Sequence, residues 1–315
     1  NRLVVELTGR DPWWSSVLMR LPALIGVALL LWSIKRLAPV FGVDANKAVW
    51  WSVLNPVLFL HFIGGSHNDA LMVGIGAVAL VLASEGFLVG SAGMLAIATL
   101  VKQPIAFLLP ATVAMALATR YGRRPAFRPV VRATLVSGGA FAGTFVVGTL
   151  MTGLGFGWVR AAGVPGSVGS LSPSTNLGVA LEWILRMLHS PLQMASLAMP
   201  LARMMCVVAG VGVLAWFAVQ ALRDTTKVPQ LLCWGMVAVA ASLPALQVWY
   251  LLWGGAFIGL VRLTARQERL VMILMVALLG YSTIDAVFRI GMLSFLVLAV
   301  VGMAWPRVLR RPSES

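Results

Sequence analysis

Three polar side chains stand in a row at His67, Asn68 and Asp69, within GGSHNDALM (Gly64 to Met72), and long apolar runs flank them on both sides. An Asn or Asp directly before an apolar run suits the cap of a helix N-terminus, so Asn68 or Asp69 is expected to cap the helix that follows. Capping leaves His67 unexplained, together with the run of three. Ionisable and polar residues at a membrane boundary are functional candidates by default. A His with a carboxylate two positions later could also ligate a metal, but no second ligand cluster accompanies this one. Lys102 and Gln103 close another apolar run and precede Pro104, which can open a helix. A lone Lys at an interface can simply snorkel to water, or act as a point charge for a phosphate. In LPALQVWYLLW (Leu243 to Trp253), Trp249 on its own reads as interfacial belt. Gln247 and Tyr250, three residues apart, would share a helical face. Together they could hydrogen-bond a sugar on which an aromatic ring stacks.

These residues need elements to hold them, and composition says what kind. Sixty per cent of the 315 residues are hydrophobic and 11% are charged. A soluble domain carries roughly a quarter charged residues, so the expected fold is all-α: a polytopic transmembrane helical bundle. Strands are not expected, since lipid accepts only closed barrels and no alternating ten-residue segments occur. The net charge of +14 does not imply nucleic acid, because the cations are scattered between apolar runs and form no single patch. Cys206 and Cys233 lie in apolar runs and read as core residues. No cofactor signal is evident, and the sequence does not decide whether a divalent metal is required.

About 20 apolar residues cross a bilayer, fewer in short or re-entrant segments. Eleven segments are predicted: 17–34, 47–63, 69–84, 87–101, 104–119, 130–152, 198–222, 228–243, 247–263, 269–284 and 288–305. Gly74, Gly76, Gly90 and Gly93 would allow close helix approach. If the 35–47 connection is cytoplasmic and every segment crosses, 16 of the 24 Lys and Arg fall on the cytoplasmic side. The ten acids split evenly, so the bias belongs to the cations alone, as the positive-inside rule expects. A single membrane domain then spans 1–315. It comprises an external stretch 1–16, six segments in 17–152, an external loop with an interfacial helix in 153–197, five segments in 198–306 and a cytoplasmic tail 307–315. His67, Asp69, Lys102 and Tyr250 all fall on the outer rim. The Gly-, Ser- and Pro-rich stretch from Gly153 to Asn176 suits a lid or a disordered loop. Residues 177–192 suit a helix lying in the interface. Glu182 with Arg186, and Asp285 with Arg289, read as surface ion pairs at i,i+4.

NPVLFLHFIGGSHNDALMVG (55–74), LVKQP (100–104), LSPSTNLG (171–178) and LPALQVWYLLW (243–253), in that order, resemble the actinobacterial polyprenol-phosphomannose-dependent α-1,6-mannosyltransferases. These are multi-spanning glycosyltransferases of the GT-C type, and the likeness runs through nearly the whole chain. It implies transfer of mannose from a polyprenyl-phosphate donor to a lipid-linked mannan acceptor (the backbone of lipomannan and lipoarabinomannan) at the outer face of the plasma membrane. Inverting transfer needs a carboxylate to take the acceptor's proton and cations to stabilise the departing phosphate. The resemblance makes Asp69 the candidate base, Lys102 with His67 the phosphate contacts, and Asn68, Gln103, Gln247 and Tyr250 the remaining substrate-binding residues. GT-C enzymes usually keep a catalytic acid in the first external loop, and the chain reads as starting downstream of it. The expectation is therefore that the family's own base precedes Asn1, with the fragment alone inactive.

Composition and topology would equally allow a transporter or flippase of lipid-linked sugars. Such folds show repeats and helices broken at mid-depth, whereas here no repeat is evident and the polar residues gather at one face. A purely structural scaffold explains the helices but not the polar blocks.

Overall fold

A computed structural model describes residues 2–153, 172–189 and 192–288 of the chain. The described residues are helical, with no strand among them. The longer helices are α1 (Arg20–Val40), α2 (Asp69–Ser84), α3 (Leu88–Val101), α4 (Leu109–Tyr121), α5 (Phe127–Thr152), α6 (Pro173–Met187), α7 (Leu192–Arg223) and α8 (Ala265–Phe288). Short helical turns fill the breaks between them.

The expectation of eleven membrane segments is not supported. Among the described residues, five helices are long and apolar enough to cross a membrane: Pro12–Val40, Gln103–Tyr121, Phe127–Thr152, Met194–Arg223 and Ala265–Ile284. A sixth appears if Pro56–Gly64 and Asp69–Ser84, bent by 116°, count as one span. The reason lies in where the backbone breaks. The 47–63 stretch stops as a helix at Ser52 and restarts at Pro56, where the Asn55 side chain accepts from the Val57 amide at 2.9 Å. It then widens into a π turn over Phe59–Gly64. The 247–263 stretch is built of 3-10 and single-turn pieces, Val248–Leu251, Leu252–Gly255 and Ile258–Leu260. Beyond residue 288, the predicted segment 288–305 lies outside the described residues.

The centre of the assembly is the pair α1 and α2, whose backbones touch. A Cβ on Gly26 would run into the backbone of Ala70, and one on Gly74 into the Gly26 carbonyl. Gly74 thus permits the close approach expected of it. At Gly90 and Gly93 a Cβ would meet only ordinary contacts. Around this seam pack the buried Leu30, Ile34, Leu37, Phe62, Trp253 and Phe257. By contrast α5, α7 and α8 show most of their apolar surface outward; Leu135, Leu150, Met205 and Val208 are each more than 60% exposed. Outward apolar helices around a packed centre are what a bilayer solvent requires.

The two ends of the assembly differ. One collects exposed ion pairs: Arg36 with Glu85 at 2.9 Å, Lys47 with Glu268 at 2.5 Å and Arg124 with Asp224 at 3.3 Å. Arg262 donates there to the carbonyls of Phe41 and Gly42. These cations are among those that the Lys and Arg count assigns to one side. The other end holds the HND block, Lys102 and the Trp-Tyr block.

Candidate functional site

The bend after Gly64 brings the HND block inward. Ser66 takes a positive φ of 52°, and the chain re-enters helix at Asp69. Neither Asn68 nor Asp69 caps α2, contrary to the expectation. Asn68 has helical backbone angles (φ −63°, ψ −12°) and makes no side-chain cap bond. A capping residue needs extended angles to fold its oxygen back over the first turn. Asp69 points into the bundle, and its side chain is only 1% exposed.

Two elements meet that carboxylate. Lys102 sits in the break between α3 and the 3-10 turn Gln103–Leu108, with extended backbone (φ −162°, ψ 135°) that swings its side chain out of the helical path. Its Nζ donates to Asp69 Oδ1 at 2.8 Å and to Oδ2 at 3.0 Å. Trp253 Nε1 donates to Oδ1 at 2.6 Å. Lys102 is therefore not snorkelling freely. An ammonium has three donors, two of which Asp69 engages. The Lys102 side chain keeps 24% of its surface exposed, against 1% for Asp69. The ammonium also lies 4.6 Å from the Tyr250 ring centroid and 5.4 Å from that of Trp253, within cation–π range.

Aromatic rings line the rim around this pair. His67 stacks on Trp249 with centroids 4.0 Å apart and planes 19° from parallel. Tyr250 stacks on Trp253 at 4.5 Å and stands edge-on to Trp249 at 5.8 Å. Burial pushes the His67 imidazole below its ordinary pKa; the Asp69 charge partly offsets this, and the Lys102 charge adds to the lowering. Behind it, His61 shares a 2.8 Å hydrogen bond with Ser282 of α8.

The structure thus brings His67, Asp69, Lys102 and Tyr250 together. Asn68 and Gln103 flank them as exposed neighbours, and Gln247 is half-buried. None of these three side chains has a hydrogen-bond partner among the described residues. Gln247 and Tyr250 do not share an α-helical face as expected. Gln247 is extended, and its carbonyl accepts from the Tyr250 amide at 2.9 Å to open a 3-10 turn. Trp253 is the participant that sequence reasoning missed. Its signal was the spacing of three from Tyr250, combined with the need of a buried indole for an acceptor.

The LSPSTNLG block is tied to the same end. Ser172 caps α6 by accepting from the Thr175 amide at 3.1 Å. Ser172 and Thr175 each donate to the Pro244 carbonyl at 2.7 Å, and Ser174 to that of Leu243 at 3.1 Å. These bonds fasten the start of α6 to the residues leading into the Trp-Tyr block. On α6 itself, Glu182 and Arg186 form the expected surface pair at 2.7 Å. Arg289, and with it the expected pair to Asp285, lies outside the described residues, as do residues 154–171.

Chemically, the site is an ammonium held at a rim by a buried carboxylate and faced by aromatic rings. The carboxylate is shut off from solvent and already accepts three hydrogen bonds. The ammonium keeps a free donor and an open side, which suits an anionic oxygen such as a phosphate's.

Residues 1–119 match a family described as "Alpha-(1->6)-mannopyranosyltransferase, N-terminal domain". The chain is similar to alpha-(1->6)-mannopyranosyltransferase A of Mycobacterium tuberculosis, with 29% identity over 80% of this chain and 49% of that protein. It is 34% identical to alpha-(1->6)-mannopyranosyltransferase A of Corynebacterium glutamicum over 50% of this chain and 34% of the relative. It is 31% identical to alpha-(1->6)-mannopyranosyltransferase B of the same organism over 74% and 41%. The chain spans about half the length of these relatives, or less. No solved structure matches it.

Proposed function

The chain belongs to the alpha-(1->6)-mannopyranosyltransferase family, and from that premise we propose that it forms the donor-binding part of an inverting mannosyltransferase that uses polyprenyl-phosphate-mannose. The acceptor is a growing lipid-linked mannan of the lipomannan and lipoarabinomannan type, and the site faces outward from the plasma membrane. The observation that carries this reading is Lys102, an ammonium fixed at the rim by Asp69 and Trp253 with one donor to spare. In the transfer, the acceptor hydroxyl oxygen bonds to C1 of mannose while the C1–O bond to phosphate breaks. The acceptor's proton passes to water or to the departing phosphate, and polyprenyl phosphate leaves with the electron pair of the broken C1–O bond. Inversion gives an α-linked product from a β-linked donor. Lys102 stabilises the negative charge that grows on the leaving phosphate, which is where fixed charge helps most. His67 can add an N–H donor to the same phosphate. The Trp249 and Tyr250 rings offer faces for the sugar, and Asn68, Gln103 and Gln247 are free to bond its hydroxyls.

Asp69 has two possible roles, and the geometry favours one. A base must reach the proton it takes, whereas Asp69 is buried and its oxygens are occupied. We assign it to positioning Lys102. In the intact protein, Lys102→Ala and Asp69→Asn should both weaken donor binding as well as turnover. Were Asp69 the base, Asp69→Asn would abolish turnover and leave donor affinity unchanged. Accumulation of lipid-linked sugar in vesicles without new glycan would instead favour the transporter reading.

A further inference from the structure

The end of the bundle opposite Asp69 contains a polar cavity, which the transferase reading does not use. It measures about 590 Å³ and is lined by the last turns of α1, α2 and α4, by the connection after α7 and by Arg262. Three cations, Arg123, Lys227 and Arg262, line it, and no carboxylate does. Arg262 is engaged with the carbonyls of Phe41 and Gly42. The Arg123 and Lys227 side chains have no partner among the described residues. Nearby acids are already satisfied: Asp224 by Arg124 and Thr226, and Glu85 by Arg36. On the cavity wall, the Gln230 side-chain oxygen is buried and has no hydrogen-bond partner among the described residues. A buried amide oxygen left in that state is costly unless something binds it. The lining also has an apolar part, formed by residues such as Val40, Phe41 and Met115.

We propose that this cavity binds the phosphate headgroup of an anionic lipid. The phosphate pairs with Arg123, Lys227 and Arg262, a headgroup hydroxyl donates to Gln230, and an acyl chain lies along the apolar wall. Basic pockets between helix ends are suited to such headgroups, and the mixture of cationic rim and apolar wall fits an amphiphile better than a free ion. Free phosphate shares the recognition chemistry, so the test must separate the two sources.

The experiment measures binding of phosphatidylglycerol to the purified intact protein in phosphatidylcholine nanodiscs, with Arg123→Gln/Lys227→Gln as the principal variant. Losing two cations beside an anionic lipid should weaken phosphatidylglycerol binding roughly twentyfold or more. The control Arg128→Gln/Arg132→Gln, on the exposed start of α5 and outside the cavity, should bind as the parent does. Should the principal variant unfold, Gln230→Leu provides the second test, which removes the orphaned oxygen and should also weaken binding. Failure of millimolar inorganic phosphate to displace the lipid supports the lipid as ligand, and full displacement supports a site for the phosphate group alone. Equal phosphatidylglycerol affinity in parent, Arg123→Gln/Lys227→Gln and Gln230→Leu would overturn the proposal.

Discussion

The two ends of the bundle both pair cations with carboxylates, but under opposite conditions. Arg36 and Glu85 meet at 2.9 Å with side chains 54% and 40% exposed, and Arg124 reaches Asp224 with its own side chain 81% exposed. Lys102 and Asp69 meet at a similar distance with the carboxylate 1% exposed and an indole on the same oxygen. Exposed pairs contribute little, because water and salt screen them and two long side chains must be ordered. A buried pair is not a strong source of net stability either, since both charges must leave water. The asymmetry shows on removal: an exposed partner is replaced by water, whereas a buried carboxylate is left unpaired. The comparison therefore separates exposed pairs, whose partners water can replace, from a buried pair whose carboxylate would be stranded.

The largest expected effect comes from breaking the buried pair on its cationic side. Lys102→Ala should destabilise the protein by about 3–5 kcal/mol, the cost of stranding a buried charge, read as a lowered unfolding midpoint in detergent. Lys102→Ala combined with Asp69→Asn should recover part of that loss, because the stranded charge is gone. A smaller effect is expected from Trp253→Phe, which keeps the ring and removes one hydrogen bond to a charged acceptor. It should cost about 1.5–3 kcal/mol by the same measurement. At the opposite end, Arg36→Gln should change stability by no more than about 1 kcal/mol. A loss there as large as that of Lys102→Ala would erase the distinction between the ends.

How much of this was legible in the sequence follows from the physics of each element. His67, Asp69, Lys102 and Tyr250 were expected at one end and they do meet, although the cation count behind that expectation assumed eleven crossings and the described residues hold five or six candidate spans. The number of spans was not readable. Hydropathy cannot see that Asn55 restarts a helix at Pro56, or that the chain near Gln247 is extended before a tight turn. The capping role failed because Asp69 gains more from two strong buried donors than from the end of its own helix. Trp253 went unread because the belt reading of its block was weighed at Trp249; a belt suits exposed tryptophans such as Trp13, at 71% exposure, and not Trp253 at 1%.

The smallest expected effect concerns His67, which burial holds below its ordinary pKa of 6.5. The folded protein then binds that proton less readily than the unfolded chain. The associated stability is fully present above pH 6.5 and is lost as the pH falls below it. The midpoint of unfolding should decline from pH 7 towards pH 5 in the parent, and less steeply in His67→Gln. Identical slopes would mean that the imidazole stacked on Trp249 is not desolvated in the folded protein.

The central claim is that Asp69 serves by holding Lys102 against the donor's phosphate. It is tested most directly by measuring the affinity of polyprenyl-phosphate-mannose for the intact parent protein, Lys102→Ala and Asp69→Asn. The expected result is a loss of affinity in both variants, comparable in size. Unchanged donor affinity in Asp69→Asn, alongside a loss in Lys102→Ala, would contradict it.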